Sequence, residues 1–384
     1  MINSMTLKTV YIGCGRISAK HFEALNKITD KFQVVGVCDI DLNKAIKASE
    51  IVGGRPFEDY VEMIKQLSPD IAVVATPNGL HPSMVEKIAE LGVKNIICEK
   101  PLSIDYESGE RASNYCKSRG ARLFLICQNR FNAPIAKLKQ AINEGKLGRI
   151  YMISSNIFWQ RPQSYYDKEA SWHGTLAMDG GAYLTQATHY VDMVAWMAAS
   201  KPKKVFASLM TLARNIETED TGATIIEFEN GTLASINMTV LTYPKNLEGS
   251  ITILGEKGTV KIGGIALNEI THWELEGEET LINHNRPIPK LASGSGVQGA
   301  YGTEDRSVLN IHEDLSTGAT TQTAAEVEFS SVYGAGHVHN YIDVYSAIIS
   351  GKPASIEGDT ILTTQKILSA IYKSNNLNAP IDLL

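Results

Sequence analysis

The sequence predicts an α/β protein of two domains: a doubly wound parallel sheet, then an α+β domain on a large, mostly antiparallel open sheet. Three observations predict it. The first third of the chain alternates short β-branched runs with amphipathic helical patterns, the signature of right-handed βαβ crossovers. From Lys203 to Ile262 strands follow one another with no helix between them. And 384 residues exceed the roughly 250–300 that a single core serves. The expected division is 1–128 and 129–384.

In order, Thr9–Ile12 reads as a buried strand, Ile17–Ile28 as a helix and Gln33–Cys38 as a second strand. Ile71–Ala75 is the next strand, followed by a helix with Pro82 near its start, where a missing N–H costs little. Asn95–Cys98 and Arg122–Ile126 complete the parallel set. Beyond Cys127 come a helix at Pro134–Glu144, a long strand at Ile150–Trp159, and a Gly-rich start to a helix over Gly180–Met197. The succession of strands is Val205–Leu212, Ala223–Phe228, Thr232–Val240, Ser250–Leu254 and Thr259–Ile262, with Asn230-Gly231 as a hairpin turn. Such a sheet leaves one face open, which predicts a homodimer or homotetramer. Residues 283–326, rich in Gly, Ser, Thr and Asn, read as a long loop or insertion, and helices return over 337–375.

Hydrophobic residues at 43% and charged residues at 20% describe an ordinary globular protein. A net charge of −6 without any basic block argues against nucleic acid. The five cysteines form no Cys-x-x-Cys pair and fit buried thiols in a reducing compartment. The N-terminus lacks the pattern of a signal peptide and no apolar run approaches ~18 residues, so the expectation is a cytoplasmic protein off the membrane. His337 and His339 stand two apart at a helix start and point to different faces; no carboxylate spacing completes a metal site with them.

Gly13-Cys14-Gly15-Arg16-Ile17-Ser18 follows the first strand and opens the first helix. The first glycine permits a tight turn, the second lets a pyrophosphate approach the backbone, and Ser18 is small enough for helix–strand packing. The diphosphate then sits on the helix N-terminus. Asp39, at the end of the second strand, suits the adenine-ribose diol and repels a 2′-phosphate, so the expected cofactor is NAD on a Rossmann fold. Thr76-Pro77-Asn78 and Glu99-Lys100-Pro101 end two further strands on the same edge, and Pro101 admits a cis peptide. The expected cofactor contacts are Gly13, Gly15, Arg16, Ile17, Asp39, Thr76, Asn78, His81, Glu99, Lys100 and Gln128.

At Glu99-Lys100-Pro101 the chain resembles the Gfo/Idh/MocA oxidoreductases, which implies that Lys100 is catalytic or orients the substrate. A second stretch, Asp179-Gly180-Gly181 through Thr185, His189 and Asp192, is similar to the family's glycine run, polar residue and histidine. Positions four apart share a helical face, which aims Thr185 and His189 together at a substrate. Thr185 stands where the family often has Asp, so the Asp–His mechanism of inositol dehydrogenases does not carry over whole. Lys100 and His189 are the two candidates to take the hydroxyl proton, and the sequence leaves open which does.

Four segments resemble one branch, the UDP-N-acetyl-glucosaminuronate 3-dehydrogenases: Gln128–Asn132, Arg161–Tyr166, Trp172–Thr175 and Lys261–Asn268. That resemblance implies oxidation at C3 of a UDP-2-acetamido-2-deoxy-glucuronate in surface-polysaccharide synthesis, with 2-oxoglutarate able to reoxidise NADH. The expected substrate contacts are Lys100, Asn129, Arg130, Arg161, Tyr166, Thr185, Gln186 and His189. Arg161 suits a carboxylate or diphosphate, its plain alternative being a salt bridge. The rival readings are a polyol or free-sugar dehydrogenase, against which Thr185 argues, and a non-catalytic NAD(P)-binding regulator, against which Lys100 and His189 argue.

Overall fold

The computed structural model describes residues 5–167, 172–278, 281–282 and 336–383, so the expected loop at 283–326 lies outside the described residues. The first sheet comprises β1 (Leu7–Ile12), β2 (Phe32–Cys38), β3 (Arg55–Phe57), β4 (Ile71–Val74), β5 (Asn95–Cys98) and β6 (Arg122–Leu125). Between them run α1 (Ser18–Asn26), α2 (Leu42–Val52), α3 (Tyr60–Leu67), α4 (His81–Glu90) and α5 (Tyr106–Ser118). Asp41, Asp59 and Asp105 take extended backbone and accept first-turn N–H groups, which starts α2, α3 and α5. The sequence reading passed over β3 because it has three residues, two of them exposed, with Pro56 at its centre.

All pairings in this sheet are parallel, in the order β3-β2-β1-β4-β5-β6. Ile12 pairs with Cys38 and Val74, Val74 with Cys98, and Cys98 with Leu125. One register row therefore brings Gly13, Asp39, Ala75, Glu99 and Ile126 to a single edge. The chain reverses direction across the sheet between β1 and β4, where a ligand crevice opens in such folds.

The second domain begins with α6 (Ala133–Asn143), β7 (Ile150–Phe158) and the short α7 (Gln163–Tyr166). A π-helical turn at Tyr183–Ala187 leads into α8 (Thr188–Ala198). Then follow β8 (Pro202–Met210), β9 (Thr221–Phe228), β10 (Leu233–Thr239), β11 (Glu248–Gly255), β12 (Gly258–Gly263), β13 (Glu269–Leu275) and β14 (Leu281–Ile282). The last elements are α9 (Gly336–Ser350), α10 (Asp359–Leu377) and β15 (Ile381–Asp382). The second sheet runs β14-β13-β12-β11-β7-β10-β9-β8-β15, antiparallel except for the pair β7 and β10.

Period-two alternation decides which side of this sheet is core. One register row crosses it as Val205, Ile226, Ala234, Ile153, Ile253, Val260 and Trp273, all buried under α8 and its neighbours. The opposite face shows Phe206 at 38%, Ile225 at 48%, Leu233 at 42% and Leu254 at 39% exposure, apolar side chains that no layer covers among the described residues.

The C-terminal helices are shared between the domains: Ile367, Leu368, Ala370 and Ile371 of α10 pack in the core of the second, whereas α9 leaves it. Tyr341, Val344 and Ala347 of α9 complete the core on one face of the first sheet, and Ile356 and Ile361 join the core on its other face. β15 then returns to the second sheet beside β8. The chain thus stitches the domains together in a way that the expected division at 128/129 omits. Four cysteines are buried, Cys14 is half-buried, and all five are free thiols. Among the described residues no helix is long and apolar enough to cross a membrane.

Candidate active site

Gly13 turns the chain at the end of β1 with φ +99°, and its N–H donates to Cys38 O at 2.8 Å. A Cβ there would lie 2.4 Å from Ala75 O, so only glycine fits. A Cβ on Gly15 would meet nothing within 4 Å, which leaves that backbone open to a ligand. Asp39 ties the loop down: Oδ2 accepts Cys14 N–H at 2.8 Å and Oδ1 accepts Asp41 N–H at 2.9 Å. The N-cap of α1, Ile17, offers no side-chain acceptor, which suits an anion at that helix end. A dinucleotide fits this cradle: open backbone for its diphosphate and a half-buried carboxylate one strand away for a ribose diol. Gly13→Ala is expected to raise the dissociation constant for NAD more than about tenfold, measurable by titration calorimetry.

Several expected cofactor contacts are spent elsewhere. Asn78 is buried and donates to Asp179 O at 2.9 Å and Thr185 Oγ1 at 3.1 Å, so it joins the domains. His81 sits between Pro101 O at 2.7 Å and Thr76 O at 2.9 Å, a buttress between two strand ends with both ring nitrogens engaged. Glu99 turns inward, where Oε1 lies 2.9 Å from His21 Nε2 and Oε2 accepts the Lys100 N–H at 3.0 Å. Thr76 abuts Gly13, placing it against the loop itself.

Lys100 precedes a cis peptide to Pro101 and is half-buried in the cleft. Its Nζ donates to Thr185 O at 2.7 Å. The π-turn explains that bond: i→i+5 pairing loosens the regular carbonyl ladder and opens a main-chain oxygen to a side chain. The expected uninterrupted helix over Gly180–Met197 is therefore corrected at Tyr183–Ala187. His189, one turn on, is buried, and its Nε2 accepts from Gln128 Nε2 at 3.1 Å. With the Gln128 amide in this orientation the imidazole proton lies on Nδ1. Burial lowers both pKa values, and the nearby Lys100 charge depresses His189 further. Among the described residues, His189 Nδ1, Gln128 Oε1 and Asn129 Oδ1 are buried polar atoms with no hydrogen-bond partner, a grouping that suits a polar ligand.

Thr185 donates to the Asp179 carboxylate. Asp179 also accepts Gly174 N–H at 2.6 Å, and burial pushes it up to about 6. Glu219, pushed up to about 7 by burial, accepts Tyr183 N–H at 2.8 Å and Tyr372 O–H at 2.7 Å and so holds the start of the π-turn. Neither acid was among the expected site residues. Asp179 had a signal in its place before the glycine pair, whereas Glu219 arrives from a distant strand end and had none.

Of the expected substrate contacts, Arg161 is buried and donates to Gln160 O at 2.8 Å, Asn246 Oδ1 at 3.3 Å and Gln186 Oε1 at 3.1 Å. Its guanidinium lies 5.1 Å from the Trp159 ring. Tyr165 does more than the expected Tyr166: it stacks on His173 at 4.5 Å and lies under the Arg16 guanidinium at 5.1 Å, spanning the cleft. Arg130, an expected substrate contact, is engaged within the protein instead. It makes a buried two-pronged pair with Asp192 at 2.6 and 2.7 Å. Tertiary folding also brings Glu99 and His21 to His337, ligand atoms within 4.8 Å, a grouping that sequence spacing could not foresee. The 2.9 Å contact between His21 and Glu99 is a hydrogen bond, with the proton where a cation would stand.

Residues 7–126 match the oxidoreductase family with an NAD-binding Rossmann fold, and residues 135–261 match the GFO/IDH/MocA C-terminal domain. The WlbA dehydrogenase of Bordetella pertussis, solved with NADH and UDP-GlcNAcA, is 35% identical over 100% of this chain and 99% of that one, with a TM-score of 0.80. Its Chromobacterium violaceum counterpart, solved with the same pair, is 36% identical over 100% and 97%, also at 0.80. Among curated proteins, myo-inositol 2-dehydrogenase of Thermotoga maritima is 26% identical over 70% of this chain and 78% of its own. With a Rossmann cradle, a Lys-Pro strand end and a lysine–histidine cleft, this chain belongs to the Gfo/Idh/MocA family of NAD-dependent oxidoreductases.

Proposed function

We propose that the enzyme oxidises the C3 hydroxyl of a UDP-2-acetamido-2-deoxy-glucuronate-type nucleotide sugar, as a step of surface-polysaccharide synthesis in the cytoplasm. The observation that carries the reading is full-length identity of 35% to a protein solved with both NADH and UDP-GlcNAcA. Arg161, a buried cation beside Gln186, supports it as the group for a carboxylate or diphosphate. Arg16, Ile17, Gly13, Gly15, Asp39 and Thr76 form the cofactor wall. Thr185, Gln186, Asn129, Tyr166 and Arg161 form the sugar wall.

NAD, when bound, supplies the hydride acceptor. Lys100 is the proton acceptor, because the His189 Nε2 lone pair is already taken by Gln128 and its Nδ1 carries a proton. His189 donates from Nδ1 to the reacting oxygen, and Thr185 O holds the amine in place. A protonated amine cannot accept, so the reaction needs the neutral form that burial favours. Accordingly kcat/KM for oxidation is expected to rise with pH and level off below the ordinary lysine value of about 10.4.

Purified enzyme with NAD should produce NADH on addition of the uronate nucleotide sugar, and 2-oxoglutarate should consume it. Turnover of inositol or free sugars alone would replace this reading with the second one, which the identity to inositol dehydrogenases favours. The exposed apolar residues of the second sheet are the face for a second copy, giving a dimer or tetramer. A monomer by light scattering would overturn that assignment.

A further inference from the structure

Behind the Lys100 amine runs a line of buried hydrogen bonds that neither wall of the cleft uses. Tyr341 on α9 and His21 on α1 are both 0% exposed. Tyr341 Oη lies 2.7 Å from His21 Nδ1, and His21 Nε2 lies 2.9 Å from Glu99 Oε1. One proton pattern satisfies all three: the tyrosine hydroxyl donates to Nδ1, and Nε2–H donates to the carboxylate. Glu99 Oε2 in turn accepts the main-chain N–H of Lys100 at 3.0 Å. The rings of Tyr11 and His337 pack edge-on against His21 at 5.3 and 5.2 Å and fix its plane.

A carboxylate this deep stays ionised only while donors hold it. Its charge stabilises a protonated lysine next door, whereas burial destabilises one. Lys100 is faced by Glu99 from its own strand end, Cys127 beyond β6, Asp179 before the π-turn, Arg161 after β7 and His189 on α8. Among these Glu99 is the foremost group opposing desolvation.

We propose that Tyr341 and His21 are positioning residues for Lys100, which keep the Glu99 carboxylate charged and in place beside it and so set the pH at which the lysine takes a proton. The proposal rests on the reading of Lys100 as proton acceptor. It also gives α9 a part in the chemistry, although this helix lies beyond both family-matched stretches, 7–126 and 135–261.

The test measures the Lys100 amine directly, by competitive labelling with a small acylating reagent across a pH series and mass spectrometry of the Lys100 peptide. His21→Phe strips the carboxylate of its side-chain donor, so Glu99 takes a proton and the apparent pKa of Lys100 falls by about one unit, tenfold in the protonation equilibrium. Tyr341→Phe removes one hydroxyl with little change of shape and should shift it in the same direction by less. The pH limb of kcat/KM should move with the labelling curve. An unchanged Lys100 labelling curve in folded Tyr341→Phe and His21→Phe would overturn the proposal, whatever happens to the rate. A labelling curve that moves while the kinetic limb stays put would uphold the positioning role and refute Lys100 as the proton acceptor.

Discussion

Lys100→Ala is expected to lower kcat/KM for oxidation by about 10²–10⁴-fold, the span general-base catalysis supplies. The amine donates to Thr185 O at 2.7 Å. Alanine removes the proton acceptor without disturbing the cradle, because the Glu99 bond to residue 100 uses main-chain N–H. NAD affinity should therefore survive while turnover falls. Lys100→Arg keeps a cation but not a titratable one, so it should be nearly as slow. His189→Asn, which keeps a donor and loses the ring, should cost less than Lys100→Ala if the histidine donates and the lysine accepts. Rates from NADH absorbance, with NAD binding measured separately, decide it. A Lys100→Ala enzyme within a few-fold of the parent would end the assignment.

Arg130→Ala should leave a poorly folded protein. The guanidinium pairs with Asp192 through two bonds of 2.6 and 2.7 Å, reaches Ser355 O at 3.2 Å, and lies 4.8 Å from the Trp196 ring. Among the described residues Asp192 then retains the Thr364 hydroxyl at 3.0 Å as its one other side-chain partner. Both partners are nearly devoid of solvent, with side-chain exposures of 6% and 3%. Deleting one half of a buried pair costs about 3–5 kcal/mol, because the other charge is left without compensation. Urea unfolding of Arg130→Ala should show a loss of that size, and pairing Arg130→Met with Asp192→Leu should recover most of it. A stable Arg130→Ala enzyme with a raised KM for the sugar would instead return Arg130 to the substrate site.

These two residues mark where sequence reasoning reached and where it stopped. Lys100 was legible because its place is local: a β-branched run, Glu-Lys-Pro, and a parallel sheet whose carboxyl edge gathers successive strand ends. Gly13, Gly15 and Asp39 were legible for the same reason, since strand, turn and helix are contiguous. Arg130 was misread because a buried arginine looks the same in sequence whether it meets a substrate or Asp192, 62 residues away. His81, Asn78 and Glu99 were placed at the right edge, yet their side chains answer to partners on other elements.

The sequence by itself determined the two sheets and pointed to the cofactor cradle and the lysine–histidine pair, because hydrophobic period and turn chemistry act between neighbours along the chain. Only the tertiary structure decided the π-turn that opens Thr185 O to Lys100, and the line from Tyr341 through His21 to Glu99. It also decided the return of α9 to the first core. Those depend on which distant groups share one dry volume. There a buried donor must find its acceptor and a buried charge its partner, and chain spacing carries no record of which pairs will meet.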